Sequence, residues 1–281
     1  MKIDESYFAE LFRIIPLLKS CHPQDFRIDR VSCFTNNNYR LRNQQHDWIL
    51  RVPKDKTNIY INRDNEALNI QYANTLGLAP KSLWRSPGGL SLTPTCRQTR
   101  NFRPQDIYEK ALREKLMLNI CRLHTSDNVF HGSVDLLKLL PEYLELVPKE
   151  HKPTLKPFVY EAITKYSLIE KYDNKRVPSH NDLVLENILV EGPGRIWIID
   201  WEYSAMASPY WDLATLCNAS RLDAGYTEEL LALYKKDCAE LELDILLIYQ
   251  FLLQLLSICW MAVFTEQDLE YELDYLNSFY Y

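Results

Sequence analysis

The segment 245–264, ILLIYQFLLQLLSICWMAVF, is 20 residues long and contains no charged side chain. A run of this length and hydrophobicity can cross a bilayer, or it can form the central helix of a helical core. Gln250, Gln254 and Ser257 interrupt the run, and its acidic flanks offer no nearby Lys or Arg to anchor or orient a span. The sequence therefore predicts a core helix over 243–264 and no membrane span.

Composition excludes several classes of protein. The chain has 281 residues and a net charge of −6, whereas a nucleic-acid-binding protein usually carries a basic surface. Its 7 cysteines are odd in number and form no C-x-x-C pair, which predicts reduced thiols rather than a disulfide or zinc framework. The first 20 residues lack the apolar block of a signal peptide. We therefore expect a cytoplasmic protein with no nucleic-acid partner.

The N-terminal part of the chain has the pattern of a small mixed lobe. A helix is predicted over 4–20, ending near its proline. Short alternating runs over 26–52 predict strands, with TNNNYR as the tip of a hairpin. A second helix is predicted over 62–76, with Asn62 as its N-cap and Gly77 as its stop. The runs LAPKSLW and LSLTPT then predict two more strands.

The remainder of the chain is mostly helical in pattern. Helical periods cover four segments: 106–125, 153–173, 226–240 and 243–264. The exception is 177–200, where two apolar runs flank a Gly-Pro-Gly turn and predict a hairpin. The sequence therefore predicts an α+β protein with a small β-rich N-terminal lobe, 1–95, and a larger helical lobe, 96–281.

Polar residues stand directly before this predicted hairpin and at its end. His180, Asp182 and Asn187 fit the pattern H-x-D-x-x-x-x-N, and Asp200 ends the second strand. The arrangement suits phosphoryl transfer, in which a protein mainly positions groups and neutralises charge. Asp182 is the candidate acceptor of a hydroxyl proton, and His180 is expected to hold the loop by hydrogen bonding. Asn187 and Asp200 supply the oxygen ligands that Mg²⁺ prefers.

The first lobe contains a second set of candidates. Arg51 lies near the end of the strand-like run WILRV, where a kinase-like fold places a basic residue that holds the nucleotide phosphates. Glu66 lies on the following predicted helix and is expected to pair with Arg51. An arginine at this position offers a bidentate fork for carboxylate or phosphate.

At these residues the chain resembles the choline/ethanolamine kinase family. The resemblance rests on HNDLVLENILV and on IIDWEYSAMASPYWDLATL, and it points in particular to the bacterial choline kinases of the phosphorylcholine pathway. The wider group contains the aminoglycoside-phosphotransferase-like kinases, which more often have H-G-D at the loop. The resemblance implies a bilobal protein-kinase-like fold, ATP with Mg²⁺, and a small alcohol, choline, as substrate. It also implies that Asp212, in WDLA, supports the loop from below.

The chain departs from the family pattern at the turn that covers the phosphates. The family usually has G-G-L-[ST]-N there, whereas residues 32–36 read SCFTN, without either glycine. Close approach of the backbone to the phosphates is therefore in question. The side chains of Thr35 and Asn36 remain candidate contacts to the nucleotide.

The acceptor site is expected in the second lobe. A quaternary ammonium is held by aromatic faces with nearby carboxylates. By family position the candidates are Tyr203, Trp260 and Tyr271, although Trp260 equally suits a core position in an apolar helix. The family has a W-x-x-W pair on this helix, and here Val263 stands at the second position.

Two other interpretations of the sequence stay open. One is a kinase for ethanolamine, thiamine or an aminoglycoside, since the C-terminal region carries acids as well as aromatics. The other is a pseudokinase that binds a nucleotide or partner without catalysis, for which the glycine-poor turn is the only support. The oligomeric state is not indicated by the sequence.

Overall fold

The computed structural model describes residues 5–31, 36–54, 61–96 and 98–280. It contains two separate hydrophobic cores. The smaller core is formed by N-terminal residues from Phe8 to Leu92, and the larger one reaches as far as Leu276. The cleft between these two packed units is where the predicted site residues lie.

The small lobe is built on a five-stranded antiparallel sheet, in the spatial order β1-β2-β3-β5-β4. Its strands are β1 (Arg27–Val31), β2 (Asn36–Arg42), β3 (Asp47–Pro53), β4 (Trp84–Arg85) and β5 (Ser91–Pro94). Leu41, Leu50 and Leu92 are fully buried on one face of the sheet, under helix α1 (Glu5–Ile14). This helix ends just before Pro16, as predicted, because proline lacks the N–H that would continue it.

The prediction of a hairpin tip at TNNNYR was wrong. Asn36, Asn37 and Asn38 belong to β2, where Asn38 pairs with Arg51 of the central strand. The amide of Asn36 is buried and donates to a carboxylate oxygen of Glu202, 3.0 Å away. This contact across the cleft stabilises an extended conformation that local turn propensity does not predict. The predicted turn residue Thr35 lies outside the described residues.

Helix α2 (Arg63–Thr75) follows the predicted boundaries closely. The side chain of Asn62 caps the helix by accepting hydrogen bonds from the N–H groups of Asp64 at 3.1 Å and Asn65 at 3.0 Å. Gly77 ends it with a φ of 69°, a left-handed conformation that favours glycine. These signals are local, which is why the sequence located this helix well.

The large lobe is helical. Its helices are α3 (Lys110–His124), α4 (Leu136–Leu146), α5 (Lys152–Ile169), α6 (Pro209–Ala219), α7 (Ala224–Asp237), α8 (Leu243–Phe264) and α9 (Glu270–Asn277). The prediction of a helix over 243–264 is confirmed, and those over 106–125, 153–173 and 226–240 are confirmed with shifted ends. Helices α4, α6 and α9 were not predicted.

Within the described residues, α8 is the one helix long and apolar enough to cross a membrane. However, 67% of its most apolar window is buried inside the protein. Gln250 and Gln254 are also buried, and each donates a hydrogen bond to a polar side chain, Asn218 and Glu272 respectively. The helix therefore packs as the centre of the large lobe.

The predicted hairpin is confirmed, and it lies at the cleft. Strands β8 (Ile188–Glu191) and β9 (Arg195–Ile198) pair around the Gly-Pro-Gly turn, and the short strand β6 (Thr99–Asn101) pairs with β8 on its other side. Nearby, β7 (Val177–Ser179) pairs with β10 (Ala205–Ala207). The loop after β7 and the segment after β9 are thereby brought to the same place.

Candidate active site

The loop 180–187, called the catalytic loop below, connects β7 to β8. Asn187 closes it by donating its amide nitrogen to two oxygens of Asp182, the backbone carbonyl at 2.9 Å and the carboxylate Oδ2 at 2.8 Å. This bond fixes the direction of the carboxylate. Because the amide nitrogen makes both bonds, the amide oxygen is the atom of Asn187 that would ligate a metal.

His180 holds the base of the catalytic loop, as the sequence predicted. Its ring Nε2 lies 2.9 Å from the carbonyl oxygen of Ile199, and its Nδ1 accepts the N–H of Asp182 at 3.3 Å. These partners require a neutral ring with the proton on Nε2. Burial agrees with this, because it lowers the pKa of His180. The ring thereby joins the catalytic loop to the end of the β8–β9 hairpin.

Asp212, near the start of α6, lies beneath the catalytic loop. Its carboxylate accepts the backbone N–H of His180 at 2.9 Å and that of Asn181 at 2.8 Å. A third contact comes from His124 on α3, whose Nε2 lies 3.1 Å from Oδ2. Although burial raises the pKa of Asp212, the hydrogen bond from His124 and nearby imidazoles lower it below its ordinary value. A buried carboxylate thus fixes two successive peptide groups of the loop.

Asn181 has a left-handed backbone, with a φ of 64°. Asparagine and glycine are the residues that adopt this conformation most readily, so H-N-D and H-G-D satisfy the same backbone requirement. The asparagine side chain adds a contact, because its Nδ2 donates to the carbonyl oxygen of Tyr203 at 3.1 Å. Trp211 supports the same residue by donating its indole N–H to the Asn181 carbonyl at 3.0 Å.

Asp200 follows β9 and also has a left-handed backbone, with a φ of 63°. Its Oδ1, which lies 3.6 Å from Nη2 of Arg51, and Oε1 of Glu202 two residues later are buried oxygens that accept no hydrogen bond. Such oxygens carry a desolvation cost that a cation would remove. Among the described residues, no three His, Cys, Asp or Glu side chains form a metal site by themselves. These oxygens fit Mg²⁺, which usually takes one or two carboxylates and completes its shell with water and phosphate oxygens.

The carboxylates at this site oppose each other's ionisation. Burial raises the pKa of Asp182 to about 7, and the neighbouring charge of Glu202 acts in the same direction. Burial and Glu202 also raise the pKa of Asp200, against the lowering effect of Arg51. Carboxylates this crowded hold protons more tightly than usual, and a bound cation would reverse the effect.

On the small-lobe side, three arginines surround two buried glutamates. We call this group the arginine–glutamate cluster; it consists of Arg51, Arg63, Arg85, Glu66 and Glu202. The predicted ion pair between Arg51 and Glu66 is present, with Nη1 2.5 Å from Oε1. The other end of the Arg51 fork, Nη2, lies 2.5 Å from Oε2 of Glu202. One guanidinium therefore joins α2 to the segment after the hairpin, which a lysine could not do in this bidentate way.

Charge pairing dominates the electrostatics of the cluster. Burial alone would lower the pKa of Arg51, but the carboxylates of Asp200, Glu66 and Glu202 raise it above its ordinary value. Burial alone would raise the pKa of Glu66, but Arg51, Arg85 and neighbouring Arg63 lower it to about 2. The charged forms of Arg51 and Glu66 are thus stabilised by their partners.

Two of the three predicted acceptor-site aromatics lie together. The indole of Trp260 hydrogen-bonds the phenol of Tyr203, whose pKa is raised by burial and by Glu202. The ring of Trp260 is 5.4 Å from that of Phe264, which in turn is 6.3 Å from Tyr143 on α4. Tyr203 is three residues after Asp200, so this aromatic group adjoins the candidate metal ligands.

The third aromatic, Tyr271, lies in a different setting. Its ring is 69% exposed and 5.2 Å from the guanidinium of Arg221. Arg221 also pairs with Glu272 at 2.7 Å. A ring that already faces an arginine is poorly suited to hold a second cation. The structure therefore brings Tyr203 and Trp260 together and does not support the choice of Tyr271.

Four residues at the site were not predicted. Glu202 and Arg63 had local signals, because Glu202 stands two residues after Asp200 and Arg63 stands three before Glu66, on one helix face. Arg85 and His124 had none. They reach the site only because β4 and α3 pack beside it.

Comparison with known proteins identifies a family. The profile described as "APH: Phosphotransferase enzyme family" matches residues 31–243. Protein LicA of Haemophilus influenzae (strain KW20) is 29% identical to the chain, and the match covers 71% of the chain and 76% of LicA. A second LicA sequence from this species is 27% identical, and the match covers 76% of the chain and 64% of that LicA. Mouse ethanolamine kinase 2 is 27% identical over 60% of the chain, which spans only 46% of that kinase.

Solved structures share the fold over nearly the whole chain. Choline kinase LicA from Streptococcus pneumoniae superposes with a TM-score of 0.85 at 21% identity, covering 98% of this chain and 97% of that one. LicA in complex with AMP superposes with a TM-score of 0.82 at 22% identity, covering 98% of both chains. These likenesses confirm the predicted protein-kinase-like fold.

Proposed function

Because residues 31–243 match its profile, the chain belongs to the phosphotransferase enzyme family, and we propose that it is an ATP-dependent kinase for choline. The observation that carries the proposal is the meeting of Asp182, Asn187 and Asp200 at one cleft, beside an aromatic pair. The relatives support a small-molecule kinase, and LicA supports choline in particular.

In this proposal the chain's residues act mainly by positioning. Asp182 accepts the proton of the choline hydroxyl as that oxygen attacks the γ-phosphorus of ATP, and the bond to the β,γ-bridging oxygen breaks to release ADP. The bond from Asn187 keeps the carboxylate aligned. His180 and Asp212 hold the backbone on either side of it in place.

Asn187 and Asp200 would hold Mg²⁺, and Glu202 offers a third oxygen nearby. When bound, the ion supplies charge neutralisation on the nucleotide phosphates. Arg51 is proposed to contact the phosphates from the small lobe, with Glu66 fixing its direction. Asn36 borders the same space, and Thr35, outside the described residues, stays a candidate contact.

The aromatic group favours a quaternary ammonium over a primary one. A trimethylammonium has no N–H to donate, so only ring faces and shape can select it. Tyr203 and Trp260 hydrogen-bond each other through their polar edges and, with Phe264, form the aromatic group that is proposed to hold the cation. Ethanolamine is the second candidate, because ethanolamine kinases are among the relatives; its ammonium would need hydrogen-bond acceptors.

Two further expectations belong to this proposal. The first is a division of labour, with nucleotide binding in 1–95 and catalysis and acceptor binding in 96–281. The two separate cores support it in part, because Ala73, Leu78 and Ala79 pack in the larger core. The second is a cytoplasmic location, where ATP is abundant. The six described cysteines are free thiols, as expected in a reducing compartment.

An ADP-release assay with four acceptors tests the proposed function. Choline, ethanolamine, thiamine and kanamycin are compared at equal concentration with ATP and MgCl₂, and Asp182→Asn serves as the matched control. We expect choline to give the highest kcat/KM. Turnover with another acceptor alone would replace choline as substrate, and nucleotide binding without turnover of any acceptor would favour the pseudokinase.

A further inference from the structure

The first half of α2 faces the large lobe with polar side chains. Arg63, Glu66 and Asn69 lie three residues apart and therefore share one face of the helix. The amide nitrogen of Asn69 donates to the carbonyl oxygens of His131 at 3.0 Å and Ser204 at 2.9 Å. This face of α2 is thus fixed against the segment that follows the β8–β9 hairpin.

Arg63 connects the two sides of this contact. Its Nη1 lies 2.8 Å from Oε2 of Glu66, on its own helix, and 3.1 Å from Oε2 of Glu202, in the large lobe. The arginine side chain is only 9% exposed. Glu66 fixes Arg51, and Glu202 stands two residues from Asp200. Arg63 therefore joins the helix that orients the phosphate-binding candidate to the segment that carries the metal-binding candidate.

The turn between β4 and β5 leaves space for the Arg63 side chain. Gly89 has a φ of 84°, and a Cβ there would come within 2.8 Å of Cδ and 3.1 Å of Nε of Arg63. It would also meet Pro53 at 3.2 Å. Only glycine suits both the backbone conformation and the contact. The position of Arg63 is therefore fixed by packing as well as by charge.

Three side chains contact the same carboxylate oxygen of Glu202, Oε2. Its Oε2 is bonded by Arg51 at 2.5 Å, by Arg63 at 3.1 Å and by Asn36 at 3.0 Å. Nucleotide phosphates would compete with Glu202 for Nη2 of Arg51. If Arg51 turned away and no other cation remained, the buried carboxylate would be left without a counter-charge, which is costly.

We propose that Arg63 is a positioning residue that keeps Glu202 paired and so releases Arg51 to bind the nucleotide phosphates. The inference rests on the proposed function, because it concerns the nucleotide of the same reaction. It assigns Arg63 no contact with substrate. Its effect is expected in nucleotide affinity, with the acceptor site unchanged.

Arg85 supplies a matched control. Its Nη1 lies 2.9 Å from Oε1 of Glu66, and its side chain is 13% exposed, close to the 9% of Arg63. The ion pair of Arg85 stays within the small lobe, whereas one of the two ion pairs of Arg63, that with Glu202, crosses the cleft. Loss of either arginine removes one positive charge beside Glu66, but only loss of Arg63 removes a partner of Glu202.

The test compares Arg63→Gln, Arg63→Lys and Arg85→Gln in the full chain. Binding of ADP with MgCl₂ is measured by calorimetry without any acceptor, together with KM for ATP, KM for choline and kcat. Arg63→Gln should weaken nucleotide binding by about tenfold or more, the scale of one lost bond to a buried charge. Arg85→Gln should change it by less than about threefold, and neither should alter KM for choline. Both ion pairs of Arg63 end on one nitrogen, Nη1, so the single ammonium of a lysine should rescue nucleotide binding at least in part.

Equal nucleotide affinities of folded Arg63→Gln and Arg85→Gln proteins would overturn the inference. Nucleotide affinity would then depend only on the number of positive charges in the cluster and not on which residue pairs with Glu202. If Arg63→Gln does not fold, Arg63→Met and Arg85→Met are compared in the same way, and equal nucleotide affinities of these two folded proteins would also overturn the inference. Wild-type protein that binds no nucleotide would overturn the proposed function and this inference together. Nucleotide binding without choline turnover would leave the inference standing and would place the failure in the acceptor.

Discussion

The catalytic loop and the arginine–glutamate cluster face the same cleft but are held in different ways. The loop is held by hydrogen bonds to its backbone, two of which end on the single buried carboxylate of Asp212. The cluster is held by ion pairs between side chains, among them the contacts of Arg51 with Glu66 and Glu202.

This difference indicates which region is already formed and which must rearrange. The partners of the catalytic loop are protein groups on its inner side, so a substrate need not displace them. The cations of the cluster are already bonded to carboxylates, and a nucleotide must compete for them. Changes in the loop should therefore lower turnover, whereas changes at the cluster residues that bridge the cleft, Arg51 and Arg63, and at the metal-binding border should weaken nucleotide binding.

The largest effect is expected from Asp182→Asn. Loss of the proposed base should lower kcat by about 10²–10⁴-fold, while the fold and the affinity for ATP stay close to wild type. Single-turnover kinetics and calorimetry on the same preparation measure the two quantities. A variant that kept more than about a tenth of wild-type turnover would show that Asp182 is not the base.

Asp200→Ala tests the border between the two regions. We expect it to weaken binding of Mg·ATP more than Asp182→Asn does, by about tenfold or more. Loss of a residue that only hydrogen-bonds a metal ligand already lowers metal affinity by about tenfold or more, and Asp200 is proposed to be a ligand itself. Calorimetric titrations with ATP, with and without MgCl₂, separate the metal from the nucleotide. Equal Mg·ATP affinities in the two variants would remove the metal role of Asp200.

Trp260 lies on α8, outside both regions, and we expect Trp260→Ala to have a smaller effect on kinetics than the two preceding variants. An aromatic contact to a cation is worth about 0.5–2 kcal/mol, so KM for choline should rise by about 2- to 30-fold while KM for ATP changes little. The partner variant Tyr271→Ala should leave KM for choline unchanged, since that ring faces Arg221. A folded Trp260→Ala protein with wild-type KM for choline would exclude the ring from the acceptor site; loss of folding would identify it as core.

Beyond these effects on activity and binding, we expect a dependence of stability on pH to which Asp182 and Glu66 contribute with opposite signs. The pKa of Asp182 is raised from 3.8 to about 7, so the ligand-free fold should gain stability from this group as pH falls from about 7 towards 4. The pKa of Glu66 is lowered from 4.5 to about 2, so its contribution is present above 4.5 and is lost as pH falls towards 2.

Thermal unfolding between these pH values, with EDTA present, measures both contributions. The difference in melting temperature between wild type and Asp182→Asn should grow in favour of wild type as pH falls from 7 to about 4. The difference in melting temperature between wild type and Glu66→Gln should stay constant above about pH 4.5 and shrink below it. Parallel curves for wild type and Asp182→Asn would contradict the raised pKa.

The sequence by itself determined the catalytic loop, the hairpin behind it and the central helix α8. His180, Asp182 and Asn187 lie within one short segment, and the Gly-Pro-Gly turn places Asp200 beside them. Turn geometry, helix caps and hydrophobic periodicity act over a few residues, so a pattern in the sequence is enough to locate such elements. The pair of Arg51 with Glu66 followed from the order of the strand and helix that carry them.

Only the tertiary structure decided the rest of the cleft. Arg85 joins the cluster through the pairing of β4 with β5, and Glu202 through the packing of α2 against the large lobe. The same packing makes Asn36 part of a strand, and the fold of the C-terminal helices separates Tyr271 from Trp260. These contacts join residues far apart in the chain, whose approach depends on how whole elements pack. Local propensity carries no information about that packing, because burial and charge pairing act between elements rather than along them.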